Sequence, residues 1–350
     1  MGMPGFIELV RVLFRNYYRG IDLSEVSDLE RREFGFQFLD KEGMIRHIGF
    51  RGGSDELRRY IINNVPSHIY YSAALYGNPT NQDMDAKDWL GADLVFDIDG
   101  DHLPTPNCQG VELMTLECLG DAAEEVGKLL DFLIEDFGFS DSSIKIFFSG
   151  HRGYHVHIEL PDVRGLTDEE RREIVDYLLL RGFDIEHLIR GNASLIDARL
   201  RGIGGRLASV IHEVDPELLN ELSGRKRVGK YLVRKLSSLN AMISERLSVH
   251  IDEVVTMDIH RLIRMPNSLH GKTGLKVIRI SPSELERGVE FIIDKAVQFR
   301  KGSLTIRLAR KVPVRRVLGE EINGDEGSII KVPTYIGLYL VINGWGELVD

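Results

Sequence analysis

Apolar residues recur at two different rhythms along this chain. At helical spacing they fill residues about 5–19, the stretch DELRRYIINNV, and the long run ECLGDAAEEVGKLLDFLIEDFGF. In that run Ala122, Val126, Leu129, Leu130 and Leu133 share one stripe, which predicts an amphipathic helix laid on a core. At a period of two they fill FGFQFLD and GMIRHIGF, two strands with a tight turn expected at Asp40–Gly43. The same period predicts strands in SHIYYSAALY, ADLVFDID, SIKIFFSG and YHVHIEL, with GNPTNQD as a loop. The pattern then changes. Thr167 and Glu170 form a capping box ahead of a helix, and to about residue 250 the chain is helical, polar and interrupted by glycine. Mixed patterning returns in MDIHRLIRMPNSLHGKTGLKVIRI, and the apolar segment VPTYIGLYLVINGWGEL reads as core. Periodicity alone therefore predicts a mixed α/β protein with a helical insertion.

Composition narrows this. With 350 residues, 43% hydrophobic and 28% charged, the chain is long enough for one large domain with an insertion, or for two domains, and too apolar to be disordered. Its start reads as an amphipathic helix rather than a signal peptide, and no apolar run is long enough to span a membrane, so a cytoplasmic protein with no membrane partner is expected. Two cysteines, Cys108 and Cys118, exclude a disulfide scaffold and suit a reducing compartment. A net charge of −10 excludes coating of nucleic acid by bulk attraction. Contacts to nucleic acid would come from local basic stretches, of which 224–235 and 300–316 are candidates, from bound cations, or from a partner chain. Solvated surface is the plain alternative for both stretches.

Three clusters carry candidate chemistry. In DLVFDIDGDH, strand alternation puts Leu94, Phe96 and Ile98 on one face and Asp97 and Asp99 on the other, roughly 6–7 Å apart. Two carboxylates so placed repel unless a cation joins them, and hard Mg²⁺ or Mn²⁺ suits them better than Zn²⁺. A strand end with solvated acids is the alternative. In FFSGHRGYHVHI, Ser149, His151, Arg152 and His155 surround Gly150 and Gly153, a strand-to-turn arrangement whose donors suit a triphosphate, although no Walker loop is present. In DIHRLIRMPNSLHGKTGL, Asp258, Arg264, Ser268, His270, Lys272 and Thr273 crowd a turn region, and the acid is placed to complete a metal site begun by Asp97 and Asp99.

The order of these clusters, and LVFDID, EDFGF, SGHRGYH and RLIRMPNSLHGKTGL in particular, resembles the catalytic small subunit of the archaeal and eukaryotic DNA primase family. RREFGFQF and MIRHIGF resemble that family's early strands, and the likeness covers most of 30–160 and 255–280. It implies a largely antiparallel sheet core of the primase type, over 1–165 and 253–350, flanked by helices and interrupted by a helical subdomain at 166–252. It implies Asp97, Asp99 and Asp258 as acids for two Mg²⁺ or Mn²⁺ ions, with Asp252 the weaker candidate for the third. It implies Ser149, His151, Arg152, His155, Arg264, His270 and Arg46 as nucleotide-binding residues, His151 standing where some members have Arg. The family usually carries a zinc knuckle after the carboxylate strand. In this chain 101–119 offers His102, Cys108 and Cys118, with Asp101 or another acid as a fourth ligand, and Thr115 where a third Cys would stand. A degenerate knuckle with idle cysteines is the alternative. The expected activity is primer synthesis on single-stranded DNA from nucleoside triphosphates during DNA replication, within a primosome. The expected partner is a large primase subunit, which carries an iron–sulfur cluster in known members. A repair-type polymerase extending existing ends and an inactive nucleic-acid-binding scaffold are the rival readings. A metal-dependent phosphohydrolase would need a water-activating arrangement that the sequence lacks.

Overall fold

The alternation LVFDID folds as a strand, Leu94–Asp99, that buries Leu94, Phe96 and Ile98 and leaves Asp97 and Asp99 partly open. Full burial of a side chain such as Phe96 stabilises the fold by roughly 1.5–3 kcal/mol. The apolar face meets the helix Leu116–Asp131, whose predicted stripe, Ala122, Val126, Leu129 and Leu130, is buried, as is Leu133 just beyond it. Thr115 caps that helix by accepting the Cys118 N–H at 3.1 Å. The computed structural model describes residues 3–222, 225, 227–314 and 316–349.

Two four-stranded antiparallel sheets form the centre. One runs in the order Ile278–Ile280, Ile144–Phe148, Gly153–Ile158 and Leu94–Asp99. The other runs Lys41–Ile48, Phe34–Phe38, His68–Ser72 and Leu262–Arg264. Phe50 packs edge to face on both Phe34 and Phe36 of the second sheet, with ring centroids 5.2 Å apart for Phe34 and Phe50. The hairpin turn is tighter than expected, because Phe38 pairs with Lys41. The run SHIYYSAALY breaks at Ala73, and Ala74–Tyr76 leaves to pair with Trp89–Ala92. A three-stranded sheet, Ile329–Pro333, Ser303–Leu308 and Gly346–Leu348, supports the C-terminal helix Thr334–Ile342, of which nearly every residue is buried. That helix is apolar on all sides because it lies inside the core.

Between 166 and 252 every described element is helical. The capping box of Thr167 and Glu170 is formed at the start of helix Asp168–Leu178. This first helix is bolted to the core. Arg171, buried, donates to the carbonyls of Ala92 at 2.7 Å and Asp93 at 3.1 Å, where the carboxylate strand begins. The excursion returns where it left, with the Val249 N–H donating to the Leu178 carbonyl at 3.0 Å.

Candidate active site

Asp97 and Asp99 stand on the strand face opposite the core, across from His155 and Gly153 of the neighbouring strand. No side chain fits at Gly153, since a Cβ there would collide with the Ile98 carbonyl oxygen. The hairpin strand therefore lies flush against the carboxylate strand. The third acid brought to this place is Asp252. Its backbone N–H donates to the Asp97 carbonyl at 2.8 Å. Its side chain caps the short helix Glu253–Met257 by accepting from Val254 and Val255, at 3.0 and 3.3 Å. Burial, then the charges of Asp99 and Asp252, push the Asp97 carboxyl up to about 7. Among the described residues none of these three acids forms an ion pair with Lys or Arg. The nearest partner is His155, with Nε2 3.6 Å from Asp97 Oδ1, and burial keeps that imidazole neutral.

Asp258, expected as the third acid, is not the charge that acts on Asp97. It lies at the other end of the same short helix, accepts the His260 N–H at 2.8 Å, and lines an open hollow with Arg46, Tyr70, His260 and Arg261. The helix separates the two acids, and the one at its N-terminus is the one tied to the carboxylate strand.

Beside the acids is a wall of donors. Ser149 Oγ accepts the N–H groups of His151 and Gly153, at 3.4 and 3.3 Å, which leaves its own proton to donate. The His151 ring stacks on that of His270, centroids 4.7 Å apart and planes 5° apart. His270 Nδ1 accepts the Lys272 N–H at 3.2 Å, so its Nε2 carries the proton. Burial first, then Arg264 and the neighbouring imidazoles and Lys272, hold His270 well below the ordinary histidine range. Burial followed by Arg152, Arg264 and Lys272 brings His151 down to about 3. Thr273 Oγ1 donates to the Gly150 carbonyl at 2.6 Å and locks the two turns together. Ser268 Oγ likewise donates to the Met265 carbonyl at 2.7 Å, so both hydroxyls shape the turn.

Three residues of this wall were not singled out in the sequence. His68 and Tyr70 come from the strand His68–Ser72, and both contact Arg264. Arg261 lowers the Asp97 carboxyl together with Arg264. Their only signal was polarity on one face of a strand and one more cation in a basic stretch. Arg46 lies on the far side of the hollow, half-exposed, with Nε 3.2 Å from the buried Glu33.

Two other groups of expected site residues are engaged elsewhere. Arg152 turns away from the donor wall. Its guanidinium pairs with Asp101 and donates to the Glu112 carbonyl at 2.9 Å. The cysteines expected for a zinc knuckle over 101–119 are bonded to each other. Cys108 and Cys118 are joined in a disulfide, so neither supplies a thiolate, and His102 is exposed. The bridge staples the exit loop of the carboxylate strand, with Cys118 Sγ packed where a side chain on Gly100 would go.

Among the described residues no three His, Cys, Asp or Glu side chains close into a metal-binding group. The donor set nonetheless suits a hard divalent cation. Asp97, Asp99 and Asp252 offer carboxylate oxygens with no Lys or Arg paired to them among the described residues, and burial together with the two neighbouring acids outweighs Arg261 and Arg264 in raising the Asp97 carboxyl.

The basic stretches divide. In the second, Arg300 pairs with Asp294 at 2.8 Å, Arg310 with Glu112 at 3.0 Å and Arg316 with Glu290 at 3.5 Å, so much of its charge is met by acids. In the first, Lys235 pairs with Asp215. Gly224 and Lys226 of the first stretch and Arg315 of the second lie outside the described residues. No helix among the described residues is long and apolar enough to cross a membrane.

The family described as DNA primase small subunit matches residues 96–281. The DNA primase small subunit of Pyrobaculum aerophilum is 42% identical over 342 residues, covering 98% of this chain and 100% of that one. That of Archaeoglobus fulgidus is 36% identical over 345 residues, covering 95% of each. Among solved structures, the polymerase domain of Mycobacterium tuberculosis ligase D in complex with DNA aligns with a TM-score of 0.42 at 14% identity, over 79% of this chain and 82% of that one.

Proposed function

The chain belongs to the DNA primase small subunit family, and from that premise we propose that it is the catalytic subunit that makes short RNA, or RNA–DNA, primers on single-stranded DNA. The reaction is template-directed nucleotidyl transfer. A 3′-hydroxyl attacks the α-phosphate of a nucleoside triphosphate, and pyrophosphate leaves. The observation that carries this reading is the cluster of three acids at Asp97 set beside a group of neutral and cationic donors, with His155 3.6 Å from Asp97 and Arg264 acting on both Asp97 and His270.

Asp97, Asp99 and Asp252 would hold two Mg²⁺ or Mn²⁺ ions. When bound, the ions lower the pKa of the attacking hydroxyl and offset the charge on the leaving pyrophosphate. Ser149, His151, Arg264 and His270 bind and orient the triphosphate, His270 through its Nε2–H and Arg264 through its guanidinium. His155 holds its neutral ring beside Asp97, with a buried Nδ1 that has no partner among the described residues. Arg152 joins the triphosphate by exchanging Asp101 for phosphate oxygens, and Arg46 reaches the nucleotide across the hollow beside Asp258. With its acidic net charge, the chain draws part of its template and primer affinity from a large partner subunit.

Incubation with unprimed single-stranded template, Mg²⁺ or Mn²⁺ and labelled nucleotides tests this reading. Wild-type chain should give short products without a primer, and Asp97→Ala should give none. Products that form only from a pre-existing 3′ end would show a repair-type polymerase instead.

A further inference from the structure

Arg264 reaches the donor wall from the short strand Leu262–Arg264, at the edge of its sheet. An arginine so placed has many rotamers, and a loose guanidinium binds a phosphate poorly because its ordering costs entropy. Something holds it. One face of the guanidinium lies over the Tyr70 ring, 5.0 Å from the centroid. Its one hydrogen bond among the described residues is from Nη1 to His68 Nδ1, at 2.6 Å.

His68 Nδ1 also accepts the Gly271 N–H, at 3.3 Å. With both donors pointing at Nδ1, that nitrogen carries no proton, and the proton of the neutral ring sits on Nε2. The ring approaches Gly271 so closely that a Cβ there would meet His68 Nε2 at 2.7 Å and the Ser67 carbonyl at 2.9 Å. Its plane meets the His270 ring at 87°, centroids 4.8 Å apart. One imidazole therefore touches the arginine, the turn that carries His270, and His270 itself. Burial, then Arg264, Lys272 and His151, bring its pKa down to about 3, in keeping with an acceptor for a cation.

We infer that His68 is a positioning residue for nucleotide binding: its unprotonated Nδ1 fixes the Arg264 guanidinium and the Gly271 turn in the arrangement that receives the triphosphate. This rests on the reading of Arg264 and His270 as triphosphate ligands. His68 itself need not touch the nucleotide. Its replacement should therefore alter nucleotide affinity and leave the chemical step alone.

Steady-state kinetics with varied nucleotide test the inference in the full chain. His68→Leu should raise the nucleotide KM about tenfold and leave kcat within about twofold. His68→Asn, whose Oδ1 can stand in for Nδ1, should stay within about threefold of wild type. In an Arg264→Ala background, His68→Leu should add less than about threefold, because the residue it positions is gone. An imidazole ¹⁵N spectrum of the wild-type chain should show His68 neutral with the proton on Nε2 from pH 8 down to 5. A proton on Nδ1 would overturn the inference without any variant. So would His68→Asn as impaired as His68→Leu, or His68→Leu unchanged while Arg264→Ala raises KM. Arg264→Ala with an unchanged KM would overturn the triphosphate reading beneath it as well.

Discussion

The strand Leu94–Asp99 and the residue just before it present two buried environments for one kind of side chain. At the near end Asp93, 1% exposed, pairs with Arg32 at 2.6 Å and Arg164 at 2.8 Å, and Arg32 is itself anchored to the carbonyls of Ser27, Ser72 and Ala73. At the far end Asp97 has two more acids for company, no ion pair with Lys or Arg among the described residues, and a neutral imidazole as its nearest partner, with Arg261 and Arg264 acting on it only from a distance. The first carboxylate is satisfied and serves the fold. The second is held in an unfavourable state by the fold around it. A buried charge without a partner persists only where the structure compels it, and that makes it the better marker of a working site.

The largest test of the contrast is Asp97→Asn, which should lower primer synthesis at least about 10³-fold. The same change should stabilise the protein. A carboxyl raised from 3.8 to about 7 binds more protons folded than unfolded between those values, so its presence lowers stability as pH rises through that window. Thermal denaturation at pH 8 should show the variant gaining about 1–3 kcal/mol. Arg32→Met probes the near end and should do the reverse. It leaves Asp93 buried with half its pairing and should cost about 3–5 kcal/mol in urea denaturation, while folded protein keeps near-normal kcat. Asp252→Asn against Asp258→Asn separates the two candidate acids. The first should lose at least about 100-fold in kcat and the second less than about threefold. The smallest effect belongs to the exit loop. Reduction of Cys108–Cys118 should cost about 2–3 kcal/mol by freeing a short loop. It should also lower the nucleotide KM if the Asp101–Arg152 pair loosens with it and frees Arg152.

The strand and its acids were legible because alternation is a local property, and Asp97 and Asp99 need only their own strand to share a face. The stripe of the long helix and the capping box of Thr167 were legible for the same reason. Asp252 and Asp258 were not separable, since both flank a helix of five residues whose docking depends on long-range packing against Asp168–Leu178 and the carboxylate strand and on the Asp252 hydrogen bond to Asp97. Arg152 was assigned from its neighbours in sequence, whereas the loop that meets it in space supplies Asp101. His68 belongs to a strand far from the turn it supports, and only the pairing of His68–Ser72 with Leu262–Arg264 brings them together. Cys108 and Cys118 were read against a metal knuckle, and two sulfurs can satisfy each other as readily as they can hold an ion.

The helical excursion leaves the core at Leu178 and rejoins it at Val249, one hydrogen bond apart. In the order of synthesis this has a consequence. The carboxylate strand and its hairpin partner emerge early, and Asp252 emerges only three residues after the excursion closes. A chain arrested anywhere within the excursion holds two acids and lacks the third, along with Arg264 and His270. It can bury much of its core and still carry no reactive centre. On the proposed reading, primer synthesis then requires translation to pass the excursion and reach His270, and a chain arrested before that point should show none.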